Sequence, residues 1–285
     1  RHGFDVIVRG VRNASDLEGE LVLFSVIESL HPVVDMVFFP ARPELAHISS
    51  SIVKAVVREG GDASDYCPLH VKQRLEERLL QRTFVGVAGG IAAGKTYFAE
   101  RLVETLREQT DATYISLDEV GHYVLSTAEK AIYRNTRKRI ARVFGNDVMH
   151  QDSSIDRRAL GHIVFNEPLA LKRLNQIMRE PMLARLYEQT RDIPRGVVVL
   201  EGAILVEGHW TRIVNNNVIL VDAPEDVRVK RLIDDRSATP DEARTKIARQ
   251  PTAEDRKAAM QQCIDEARAG RIWEVNGGGD PIDYN

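Results

Sequence analysis

A chain of 285 residues, 43% hydrophobic and 28% charged, holds enough apolar material for about two cores and is neither a disordered polyelectrolyte nor a disulfide-built mini-protein. Its formal net charge of -3 divides as 9 basic against 12 acidic residues up to position 80 and 30 against 30 beyond it, so neither part has the basic excess of a general nucleic-acid binder. Cys67 and Cys263 stand far apart without metal-ligand spacing, and no apolar run approaches the roughly 18 residues of a membrane span, which leads us to expect free thiols, a cytoplasmic setting and neither nucleic acid nor membrane as partner.

The chain opens on Arg1 and His2 rather than Met, which suggests further sequence upstream. Apolar runs bounded by turn residues predict strands at residues 4–8, 34–40, 84–88, 113–117, 196–201 and 217–224. Helical periodicity falls between them, at residues 51–59, 71–82, 95–109, 128–144 and 170–189. Alternation of this kind predicts a parallel α/β architecture. A closing helix in "YCPLHVKQRLEERLLQR" and a fresh buried strand at Phe84 place the expected domain junction near residues 80–83, giving domains 1–82 and 83–285.

The stretch "VGVAGGIAAGKTYFAERL" from Val85 to Leu102 puts three glycines within six residues, between a buried strand and a helix. Gly89, four residues, then Gly94, Lys95 and Thr96 fit the phosphate-loop pattern in its required context. Gly89, Gly90 and Gly94 permit backbone conformations that a Cβ forbids, so N–H groups along Ile91, Ala92 and Ala93 turn toward phosphate oxygens. Lys95 supplies a point charge for the β and γ phosphates, and the Thr96 hydroxyl suits Mg2+ beside the helix N-terminus. A glycine-rich turn with a chance lysine is the bland alternative.

A phosphate loop alone does not separate a kinase from a GTPase or an ATP-driven machine. Asp118, in "SLDEVGHYVL" at a strand's C-terminal end, stands where open α/β sheets place ligands and where a kinase orients or deprotonates a hydroxyl; alternatively it caps the following helix. Glu201 ends "VVVLE" and could hold Mg2+ through water. The segment "VKRLIDDRSATPDEARTKIARQ" gathers Arg231, Arg236, Arg244 and Arg249, which would close over ATP, or else form a solvated, ion-paired face.

With these motifs in view, residues 84 to about 280 resemble the dephospho-coenzyme A kinases. "GVAGGIAAGKT", "LDEVGHYVL", "FGNDVMHQDSSIDRRALGHIVFNEPLALKRLNQIM", "VVLEGAILVE", "VDAPEDVRVKRLIDDR" and a Gln250 six residues before Arg256 carry the likeness. It implies a P-loop kinase fold, a parallel sheet flanked by helices with a helical substrate region and a lid. It also implies ATP with Mg2+ as cofactors and dephospho-coenzyme A as small-molecule substrate. Asp118 takes the catalytic carboxylate position, Lys95 and Thr96 the phosphate and magnesium positions, and Arg231 or Arg236 the catalytic lid position. Asn276 falls beside the adenine, and residues 155–185 form the smaller helical region over the substrate. Departures are Ser116 where the family has Asp, "REP" at Arg179 to Pro181 where it has His-Pro, lid arginines spaced by five rather than four, and about eight additional residues before "WEVNGGG".

The first part has a likeness of its own. "DVIVRGVRNASDLEGE" and "VFFPARPELAHISSSIVKAVVREGGDASDYCPLHVKQRLEERL" are similar to the C-terminal half of phosphopantetheine adenylyltransferases, which implies a partial Rossmann-like nucleotidyltransferase domain ahead of the kinase, the order of a bifunctional coenzyme A synthase. Arg9 and Arg12 match the family's arginine pair, Asp16 and Glu20 its acidic pair, and Ser49, Ser50 and Ser51 its serines at a helix start, all candidates for nucleotide contact. The catalytic His-x-Gly-His of that family is absent from the sequence, and Leu45 and Val26-Ile27 replace its usual aromatic and Met-Asn. Two other readings stay open, a nucleoside kinase and a nucleotide-binding regulatory protein with degenerate sites.

Overall fold

The computed structural model describes residues 6–30, 34–236 and 238–278. The chain forms two compact units, Arg1–Ala55 and Val56–Asn285. The expected junction near residues 80–83 is therefore not where the compact units part.

In the first unit β1 (Val6–Val11) and β2 (Asp35–Pro40) pair in parallel, Val6 opposite Asp35, and the helix Ala14–Leu30 makes the crossover between them. Asn13 Oδ1 accepts from the Asp16 N–H at 2.9 Å, satisfying one of the free N–H groups at that helix start. Val8, Val22, Val26 and Phe39 are exposed, and no residue of the Ala14–Leu30 helix is buried. Periodicity did not predict this helix: apolar residues lie all round it, as they would on an element with no single buried face.

The second unit is built on a five-stranded parallel sheet in the order β4-β5-β3-β6-β7, where β3 is Arg82–Gly89, β4 Ala112–Ser116, β5 Gly196–Glu201, β6 Asn217–Asp222 and β7 Arg271–Asn276. Side chains alternate between two cores because the strand period is two. Phe84, Ala88, Val198, Leu200 and Leu220 enter the larger core with Leu117, Tyr133 and Trp210, while Val87, Val199 and Val221 meet Phe98 and Val103 of the Lys95–Arg107 helix on the other face. Among the described residues no helix is long and apolar enough to cross a membrane.

The helix Leu69–Leu75 and the π-helical turn Glu76–Leu80 that lead into β3 belong to this unit, and a buried polar cluster is the reason. Lys72 Nζ lies 2.8 Å from Glu76 Oε1, donates to Asn215 Oδ1 at 2.9 Å and reaches the carbonyls of Arg212 and Ile213 at 3.3 Å, while Asn215 Nδ2 donates to Glu76 Oε2 at 2.6 Å. Each charge in the cluster is matched, so burial is tolerated. Burial holds the Glu76 carboxyl above its ordinary value, against the pull of Lys72.

Removing Lys72 leaves a buried carboxylate without its counter-charge, and Lys72→Met should cost about 3 kcal/mol in urea unfolding at neutral pH. The native state binds the Glu76 proton more tightly than the unfolded chain, so this group's contribution to stability falls as pH rises from the ordinary carboxyl pKa through the raised one. Loss of Lys72 carries that window upward, so the deficit should shrink when unfolding is repeated near about pH 5. A deficit that is constant across this range would remove Glu76 as its cause.

Candidate functional site

The site is assembled at the C-terminal ends of β3, β4, β5 and β6, where an open parallel sheet leaves its crevice. Strand β3 ends on Gly89, and a Cβ there would sit on the carbonyl oxygen of Val221 in β6, so only glycine lets the two backbones close at this point. Ala92 with φ 58 and Gly94 with φ 95 then reverse the chain, and the Lys95–Arg107 helix starts from Gly94. Its first N–H groups, with no partner inside the helix, face the loop's interior.

Lys95 points toward Glu201, Nζ to Oε1 3.8 Å. Glu201 is the last residue of β5 and only 2% exposed. The Tyr114 hydroxyl donates to Glu201 Oε2 at 3.2 Å, whereas no hydrogen bond reaches Oε1 among the described residues. Burial raises the Glu201 carboxyl; Lys95 opposes this, the Asp118 charge adds to it, and Tyr114 and Thr96 lower it. Thr96 stands near enough to favour the carboxylate, short of hydrogen-bond geometry to Oε1. The same carboxylate, after burial, raises the Tyr114 phenol. An uncompleted, buried carboxylate oxygen facing Lys95 and Thr96 fits a hydrated magnesium ion, which takes few protein ligands and keeps waters and phosphate oxygens. Among the described residues no three Asp, Glu, His or Cys side chains gather into a metal cage.

Asp118 lies across from this group. Ser116 pairs in register with Glu201 and ends β4, and Asp118 follows two residues later, exposed, in the first turn of the Leu117–Leu125 helix. The cap of that helix is Ser116, whose Oγ accepts from the Glu119 N–H at 3.3 Å. The capping alternative for Asp118 is corrected accordingly: its carboxylate is left to the crevice, with no hydrogen bond among the described residues.

The arginine-rich segment comes back over the loop. From the helix Glu225–Arg236, Arg231 donates from Nη1 to the Ala92 carbonyl at 3.1 Å and from Nη2 to the Gly277 carbonyl at 2.7 Å, joining the phosphate loop to the turn after β7. The side chain of Arg236 lies outside what the structure describes. Arg228, one turn before Arg231 and 8% exposed, donates from Nε to the Ile91 carbonyl at 3.0 Å, and Gln250 Oε1 accepts from the Ile91 N–H at 2.7 Å. Burial lowers the Arg228 guanidinium, Asp222 supports its charge and the neighbouring Arg256 opposes it. Arg256 is tied to Glu207 at 2.9 Å.

Beside the loop opens a cleft of about 500 Å³ lined by Gly89, Asp222, Pro224, Arg256 and Asn276. Asn276 ends β7 and accepts from the Gly278 N–H at 2.9 Å. The helix Pro168–Thr190 packs against the helix Leu117–Leu125 that carries Asp118 and against the helix Arg157–Asn166, so residues 155–185 are largely helical. Arg185 stacks its guanidinium 3.8 Å from the Tyr123 ring centroid there.

Gly89 to Thr96, Lys95, Asp118, Glu201, Arg231 and Asn276 thus share one end of the sheet. Tyr114 and Arg228 were not foreseen; the signal for Arg228 was its place three residues before Arg231, on the same helical face. In the first unit the candidate residues pair with one another. Arg9 Nε donates to Glu20 at 2.6 Å and Arg12 Nε to Asp16 at 2.6 Å, while Ser49 Oγ accepts from the Ile52 N–H at 3.2 Å, within the first turn of the helix Ser50–Arg58.

A family model described as dephospho-CoA kinase matches residues 83–269. A dephospho-CoA kinase of Dehalococcoides mccartyi is 36% identical over 175 residues, spanning 60% of this chain and 82% of that protein. One of Methylococcus capsulatus is 32% identical over 194 residues, 67% of this chain and 92% of its own. The crystal structure of TT1252 from Thermus thermophilus shares the fold with a TM-score of 0.54 at 22% identity, over 70% of this chain and 91% of that one.

The close approach at Gly89 predicts a contrast within the loop. Gly89→Ala drives a methyl group into backbone and should cost about 3 kcal/mol in denaturant unfolding, whereas Gly94→Ala comes no nearer than 3.2 Å, to the Arg231 guanidinium, and should cost about 1 kcal/mol through its positive φ. Equal costs in the two variants would show that the β3–β6 approach is not the constraint.

Proposed function

The chain belongs to the dephospho-CoA kinase family, and from that premise we propose that it transfers the γ-phosphoryl group of ATP to the ribose 3'-hydroxyl of dephospho-CoA. The observation that carries the reading is the juxtaposition of a phosphate loop with two carboxylates of opposite character, Glu201 buried behind Lys95 and Asp118 free at the crevice. In this reading the loop N–H groups from Gly89 to Thr96 and the Lys95 ammonium hold the β and γ phosphates. Thr96 and, through water, Glu201 would hold Mg2+, which would supply positive charge to offset that on the phosphate oxygens.

Asp118 aligns the 3'-hydroxyl and accepts its proton as the new P–O bond forms and the bond to the β-phosphate oxygen breaks. Arg231, held between the loop and the turn after β7, and Arg236 carry lid charge toward the transferring group. The adenine occupies the cleft beside Asn276, and dephospho-CoA lies between Asp118 and the helices Arg157–Asn166 and Pro168–Thr190.

For residues 1–82 we propose descent from a phosphopantetheine adenylyltransferase half, giving the chain the order of a bifunctional coenzyme A synthase. Support comes from the βαβ crossover carrying Arg9, Arg12, Asp16 and Glu20 as two ion pairs, followed by the Ser49, Ser50 and Ser51 helix start. This chain as it stands lacks His-x-Gly-His, so it should release no pyrophosphate from ATP when given phosphopantetheine; phosphopantetheine-dependent release would contradict that expectation.

Asp118→Asn decides the kinase reading. Since Ser116 caps the helix, the substitution should leave the melting temperature nearly unchanged and lower kcat with dephospho-CoA by roughly a hundredfold or more. Ser116→Ala should instead cost about 1 kcal/mol of stability. Wild-type turnover in Asp118→Asn would remove that residue from the mechanism, and a wild-type protein that phosphorylates a nucleoside in place of dephospho-CoA would overturn the assignment of substrate.

A further inference from the structure

The backbone of Ile91 in the phosphate loop is held through both its N–H and its carbonyl, which belong to successive peptide groups, by side chains far away in sequence. Its N–H donates to Gln250 Oε1 at 2.7 Å, across 159 positions, and its carbonyl accepts from Arg228 Nε at 3.0 Å, across 137. Only the oxygen of the Gln250 carboxamide accepts a hydrogen bond, so the partner fixes the orientation of the amide. The next residue, Ala92, has φ 58, a conformation that costs a non-glycine residue energy and persists only where the surroundings impose it.

The gripping groups are themselves anchored. Arg228 is almost wholly buried, with Nη1 3.9 Å from Asp222, and its Nη2 lies over Gly90 where a Cβ would stand. Arg256 packs against the same glycine and is held by Glu207. Gln250 follows the helix Pro240–Ala248, whose start is fixed by a capping box between Thr239 and Glu242. Neither Gln250 nor Arg228 hydrogen-bonds the loop residues from Gly94 onward, whose N–H groups open the helix that faces the phosphates.

We propose that Gln250 and Arg228 are positioning residues for phosphoryl transfer: by holding the two peptide groups that flank the Ile91 Cα they keep the phosphate loop in its nucleotide-ready shape before ATP arrives. The grip rests on the kinase reading only in naming ATP as the nucleotide. Preorganisation of this kind acts on donor binding, because a loop that must be ordered on binding gives up part of its affinity. It does not act on the acceptor.

The test compares Gln250→Leu, which keeps volume and removes the acceptor, with Gln250→Glu, which keeps an acceptor oxygen. ADP affinity is read by calorimetry, and the KM values for ATP and dephospho-CoA by steady-state kinetics on the full chain. Gln250→Leu should weaken ADP binding and raise the ATP KM about tenfold, the loss expected for a hydrogen bond whose removal strands a part-buried N–H, with the dephospho-CoA KM unchanged. Gln250→Glu should stay within about threefold of wild type. Arg228→Gln should follow Gln250→Leu in ADP affinity, and if it does not fold the Gln250 pair decides alone.

ADP affinity in Gln250→Leu within about twofold of wild type overturns the proposal. So does an equal loss in the Leu and Glu variants, or a parallel rise of both KM values. The two readings fail separately. Wild-type protein inert toward dephospho-CoA, with the ADP losses as expected, refutes the acceptor and leaves the grip standing. Normal turnover with unaltered ADP affinity refutes the grip alone.

Discussion

The arrangement depends on how closely β3 and β6 approach at Gly89. With no Cβ in the way, the end of the central strand lies against the Val221 carbonyl. That approach sets the start of the Lys95–Arg107 helix, and with it the direction of the helix N-terminus and of Lys95. Register carries the rest: Val87 pairs with Glu201 on one side and with Ile219 on the other, so the acid at the end of β5 arrives at the level of the loop.

Three of the places where this unit buries charge have different consequences. Lys72, Glu76 and Asn215 are mutually satisfied, and their cluster fastens the segment before β3 to the unit. Arg228 and Arg256 are like charges packed side by side, Arg228 near Asp222 and Glu225 and bonded to the Ile91 carbonyl, Arg256 bonded to Glu207. Glu201 keeps an oxygen without a hydrogen bond, at the one place where the proposed chemistry brings a cation and phosphate oxygens. Among the described residues the other buried charged side-chain atoms without a hydrogen bond are guanidinium nitrogens, of Arg82, Arg185, Arg228 and Arg256; Glu201 Oε1 is the one carboxylate oxygen in that state, and it faces Lys95 of the phosphate loop.

The first unit follows another logic. Its two parallel strands and crossover helix leave Val8, Val22, Val26 and Phe39 exposed, while its arginines are tied in surface ion pairs with Glu20 and Asp16. Such pairs contribute little to stability. Their value to the proposed ancestry is their placement near the end of β1, where a parallel strand delivers side chains to a ligand.

Sequence alone determined what is local. The strand, glycine and helix order around Lys95 follows from conformational limits on a few consecutive residues, so the phosphate loop was legible, as were the continuous apolar runs of β3, β5 and β6. The crossover helix Ala14–Leu30 was not legible, because its apolar residues mark no one face. Tertiary structure decided what depends on distant partners: that Ser116 and not Asp118 caps its helix, that residues 56–80 stand with the second unit, and that Arg228 and Gln250 meet at Ile91. A side chain's partner across more than a hundred residues is set by how sheet and helices pack, and no pattern within a window of sequence encodes it.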